Sequence, residues 1–81
     1  MGNSKDMKVR RLTKNQAITL LNIVNKEPFK LNKNSLGGSL SALERNGFIV
    51  PLGRVGRNLN WELIQQFTSE EHEIIKRIVL L

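Results

Sequence analysis

The side chains able to do chemistry in this 81-residue chain are few, and most are suited to contacts rather than to bond making. His72 is the only histidine, Asp6 the only aspartate, and there is no Cys or Tyr. Catalysis needs a nucleophile with its base, paired carboxylates or a metal cluster, and that set supplies none of them. No Gly-x-x-x-x-Gly-Lys run is present to cradle a phosphate. An enzyme is therefore not expected, nor a cofactor, a metal or a small-molecule ligand. The polar groups that do recur are Asn34, Gly38, Ser41 and Arg45, at intervals of four, three and four. That spacing puts them on one flank of a helix. Arg54 and Arg57 sit in the run Gly53-Arg54-Val55-Gly56-Arg57. Arginine can pair with guanine O6 and N7 or fork onto a phosphate, and serine can meet many base edges.

The flank belongs to a helix expected over 32–46. Leu36, Leu40 and Leu43 recur at four and three on its other side and form the inward face. Asn32 is a competent N-cap, and Gly47 stands where a left-handed C-terminal residue is wanted. Gly37 and Gly38 each cost about 1 kcal/mol relative to alanine in a helix interior. They imply close packing of a neighbour, a break, or close approach of backbone to a ligand.

The other elements follow from local signals. Thr13 and Gln16 have capping-box spacing, and the helix they open is apolar over most of its circumference to about Asn25. Phe48–Leu52 and Asn58–Ile64 are expected strands around a loop at 53–57. Trp61 and Leu63 alternate with Asn60 and Glu62, and Pro51 suits an edge or a bulge. Thr68 and Glu71 open a last helix whose Ile74, Ile75, Ile78, Val79, Leu80 and Leu81 give a broad apolar surface. His72, among acidic residues, is expected on the exposed polar side.

From Leu43 to Ile49 the run Leu-Glu-Arg-Asn-Gly-Phe-Ile resembles the end of the recognition helix and the start of the wing in winged helix-turn-helix DNA-binding domains. Small polar residues Asn32 to Ser35 before Leu36, and the Gly- and Arg-containing hairpin beyond, extend the likeness over 32–64. The resemblance implies an α+β fold of about three helices, with a two-stranded β-hairpin wing before the last helix. It implies a small transcriptional regulator that binds double-stranded DNA, with helix 32–46 in the major groove and wing 53–57 on the backbone. The contact residues would be Lys33, Asn34, Ser35, Gly38, Ser39, Ser41, Arg45, Arg54 and Arg57. The chain departs from the pattern between Asn25 and Asn32, where the family's second helix has room for barely a turn. Winged-helix domains also serve as adaptors and small inhibitory proteins, so a protein-interaction module without DNA binding is the alternative. Single-stranded nucleic acid is a weaker third, because three Phe and one Trp offer few bases a platform.

Composition agrees with a soluble globular class. Apolar residues make up 40 % and charged residues 25 %, with a net charge of +6. Residues 1–60 carry eleven Lys and Arg against three carboxylates, a net of +8, whereas 61–81 carry two against four. A basic body suits a polyanion. Residues 1–12 are expected to form a flexible basic arm, its last residues packed under the first helix, with the domain at 13–81. A chain this short without disulfides gains from a partner, and a homodimer through 69–81 is expected from the apolar end. No apolar run reaches the ~18 residues of a membrane span and no hydrophobic leader is present, so a cytoplasmic location is expected, nucleoid-associated if the chain binds DNA.

Overall fold

Thr13 and Gln16 close a reciprocal cap at the start of the helix α1 (Lys14–Val24). The Gln16 N–H donates to Thr13 Oγ1 at 3.2 Å, and the Thr13 N–H donates to Gln16 Oε1 at 3.1 Å. The computed structural model describes residues 8–55 and 58–81, with only the backbone of 54, 55, 58 and 59. α1 is the central helix and buries Ala17, Thr19, Leu20 and Asn22. Thr19 is tolerated there because its hydroxyl donates to the Asn15 carbonyl at 2.9 Å.

α1 ends in a double hydrogen bond. The Glu27 N–H donates to Asn22 O at 2.9 Å and the Lys26 N–H to Ile23 O at 3.2 Å. This is a Schellman closure, and it places Lys26 in the left-handed region at φ 55, where glycine is usual. Lys26→Gly is expected to stabilise the domain by about 0.5–1 kcal/mol by relieving that conformation. A rise in urea midpoint checks it; an unchanged or lower midpoint contradicts it.

Asn22 then governs the connection. It is 2 % exposed, and its Oδ1 accepts from the Lys30 N–H at 3.2 Å while its carbonyl holds Glu27. Residues 27–30 are neither helix nor strand. The short interval is therefore an irregular segment bound to the end of α1, and α2 (Lys33–Arg45) follows at once. The Asn32 side chain accepts from the Ser35 N–H at 2.9 Å to cap α2. Gly47, at φ 83, closes it, with the Phe48 N–H donating to Leu43 O at 3.0 Å. Only a residue without a Cβ takes that conformation at no steric cost.

β1 (Ile49–Val55) and β2 (Asn58–Leu63) form an antiparallel hairpin, with Ile49 opposite Leu63 and Pro51 opposite Trp61. Leu52 has no partner: it is an extra residue between Pro51 and Gly53, and Gly53 takes φ 100 beside it. The bulge adds local twist and lets β1 continue through Val55. The loop expected at 53–57 is thus shorter, since Gly53, Arg54 and Val55 belong to the ladder.

α3 (Ser69–Val79) has a second capping box: the Glu71 N–H donates to Thr68 Oγ1 and the Thr68 N–H to Glu71 Oε1, at 3.1 and 2.8 Å. Glu70 and Glu71 lie at its positive end and Lys76 and Arg77 at its negative end, each favourable to the helix dipole. The core is Val9, Leu12, Ala17, Leu20, Leu43, Phe48, Ile49, Ile74 and Ile75. Phe67 stacks tilted on Phe48 with ring centroids 6.2 Å apart. Of the expected basic arm, residues 1–7 lie outside the described residues; 8–10 are helical, and Val9 and Leu12 are core members. The chain is an α+β domain with a two-stranded antiparallel sheet. Among the described residues no helix is long and apolar enough to cross a membrane.

Candidate functional site

α2 divides by face. Leu43 is 0 % exposed and Leu40 packs against the core, which turns the other side of the helix to solvent. On that side Asn34, Gly37, Gly38, Ser41 and Arg45 are all exposed, and Lys33 is exposed in the first turn. The five are neighbours along a single helix at spacings of three, four and one, so the backbone itself brings them together.

The two glycines lie within a continuous helix, so they do not mark a break. Neither do they admit a neighbouring helix: a Cβ built on Gly37 or Gly38 meets nothing within 4 Å among the described residues. Both structural explanations fail, and the pair lies open to solvent at the middle of the polar flank. Its stretch of bare backbone is bounded by the amide of Asn34 and the hydroxyl of Ser41.

Other expected contact residues are placed differently. Ser39 is 5 % exposed and so is not part of the flank. It stands four residues before Leu43, which puts it on the inward face, a spacing the sequence already contains. Ser35 is half-buried, and its N–H is committed to the Asn32 cap. Arg54 stands in β1 opposite Leu59 rather than at a loop tip, and Arg57 lies outside the described residues.

Among the described residues the flank's cations are unpaired with carboxylates. Among the described residues the one ion pair is Lys76–Glu73 on α3, at 3.9 Å with both side chains more than half exposed. Exposed pairs of that kind contribute little. Lys33 and Arg45 are thereby left one at each end of α2. Sequence reasoning missed Lys8, whose Nζ donates to the Asn46 carbonyl at 3.3 Å at the exit of α2. No pattern in the sequence joins positions so far apart.

A second surface is apolar. Beside the end of α1, a groove of about 350 Å³ is lined by Ile23, Phe29, Leu52 and Trp61, with Asn22, Lys26, Glu27 and Asn60. The bulge turns Leu52 outward, 60 % exposed, and Phe29 is 36 % exposed. On α3, His72 departs from expectation: it is half-buried, with Nε2 shielded and unpartnered among the described residues. Glu71 is 1 % exposed; its Oε1 serves the cap and its Oε2 has no partner among them. Burial of the α3 face that carries Ile74 and Ile75 takes Glu71 inward with it. No three His, Asp or Glu among the described residues stand close enough to hold a metal ion.

Comparison with protein-family models, with characterised proteins and with solved structures finds no match to this chain.

Proposed function

We propose that this chain is a winged-helix DNA-binding protein, a small transcriptional regulator, which sets the exposed flank of α2 into the major groove of a duplex. The observation that carries the reading is the open glycine pair on that flank. Two residues that weaken a helix, and that no neighbouring atom among the described residues requires, support a role for the flank in meeting an external surface at close range. Asn34 and Ser41 offer base-edge contacts beside it, and Arg45 a phosphate contact. The hairpin follows α2 directly and acts as the wing, with Arg54 and Arg57 on the adjacent backbone. The charge of +8 over residues 1–60 supplies the long-range attraction.

A short random duplex titrated at two salt concentrations tests this. Affinity should fall steeply with salt, because each neutralised phosphate releases counterions. No affinity at low salt refutes it.

The apolar groove favours a second reading, a protein-interaction module of the same architecture, in which Phe29, Leu52 and Trp61 receive a protein partner. A stoichiometric protein captured from nuclease-treated lysate, with no duplex affinity, selects that reading. In either case a second copy pairs through residues 69–81, where Leu80 is 84 % exposed beside Leu21 and Val79.

A further inference from the structure

Lys8 belongs by sequence to a solvated arm, yet the fold fixes it in space. Val9 is 0 % exposed and Leu12 7 %, and the Arg11 and Leu12 N–H groups donate to the Lys8 and Val9 carbonyls at 3.2 Å. From this anchored turn the ammonium reaches across 38 positions of chain to the Asn46 carbonyl. It lies 4.0 Å from the point a Cβ on Gly47 would occupy. That corner is the exit of α2, immediately beyond Arg45. An ammonium carries three donors, and the Asn46 carbonyl takes one. Lys8 and Arg45 are both exposed, and no carboxylate among the described residues pairs with either.

We infer that Lys8 and Arg45 together form a phosphate-binding corner at the exit of α2, which grips the sugar–phosphate backbone of the duplex whose groove receives the helix. The inference rests on the duplex-binding reading given above. Length supports it: the 13 residues of α2 span about 20 Å, and the major groove is about 12 Å wide. A helix that crosses the groove with its first turns at the base edges has its last turn over a backbone strand. By itself that end is the negative pole of the helix dipole and repels phosphate. Lys8 covers the Asn46 carbonyl and reverses the sign of the corner. Simple capping of the helix accounts for one donor, and no group among the described residues takes the other two.

The test compares wild type, Lys8→Gln and Lys8→Arg on a labelled random duplex by anisotropy across a salt series, with a thermal melt of each. A glutamine amide can still donate to the Asn46 carbonyl, so Lys8→Gln is expected to fold. It should bind about threefold or more weakly at low salt, with the log–log salt slope reduced by about 1. Lys8→Arg should keep both affinity and slope. If Lys8→Gln melts lower but binds with wild-type affinity and slope, Lys8 is a helix cap alone and the inference falls while duplex binding stands. If wild type shows no duplex affinity at low salt, both fall together.

Discussion

Replacing Gly37 and Gly38 together by alanine is expected to make the protein more stable and a poorer duplex binder. Each substitution lowers the conformational entropy of the unfolded chain and improves helix propensity, by about 0.5–1 kcal/mol per residue. The added methyls meet nothing within 4 Å among the described residues, and neither glycine has a positive φ, so no steric or backbone term from those residues opposes the gain. The sum is about 1–2 kcal/mol, or roughly 4–8 °C of melting temperature per kcal/mol in a domain of this size. The same methyls stand between Asn34 and Ser41 and hold the helix off any surface it meets. Duplex affinity should fall about tenfold, equivalent to about 1.4 kcal/mol. A melt and a binding isotherm on one sample decide the matter. Higher stability with unchanged affinity would mean that the glycines do not serve close approach.

Leu43→Ala carries the largest stability effect. Leu43 is fully buried and joins α2 to the core formed by α1, β1 and α3. Truncating such a leucine costs about 2–5 kcal/mol, from lost transfer energy and from the cavity left behind. A chain of 81 residues has roughly 4–12 kcal/mol in total, at about 0.05–0.15 kcal/mol per residue. The variant therefore loses between about a sixth of its stability and all of it. Its urea midpoint should drop with the slope unchanged. A loss below about 1 kcal/mol would show that α2 is held by something other than this contact.

These two substitutions fall on opposite faces of one helix, and the sequence distinguishes the faces unevenly. The caps were fully legible: Thr13 with Gln16, Thr68 with Glu71, Asn32, and Gly47 each form the local contact their spacing implies. Such signals involve residues three or four apart and need no tertiary context. The exposure of Asn34, Gly38, Ser41 and Arg45 followed from helical spacing in the same way. What escaped depends on distant neighbours. Asn22 looks like a break in an apolar helix, but it is buried because the Lys30 N–H returns to it. Glu71 reads as a solvated acid near a helix start, yet its helix turns that position towards the core. Leu36 is only half-buried although it shares the leucine spacing. The anchoring of Lys8 depends on a contact across most of the chain, which no local pattern records. The extension of β1 past Leu52 required a bulge, and two glycines in a short loop concealed it.

The central claim is that the bare flank of α2 is the surface that meets a double helix. An amide chemical-shift titration with a short random duplex, at low and at high salt, addresses it residue by residue. The account predicts shifts concentrated on the amides of Asn34, Gly37, Gly38, Ser41 and Arg45, attenuated by salt, with the Phe29–Trp61 side unchanged. Shifts confined to the Phe29–Trp61 groove, or none at low salt, would contradict it.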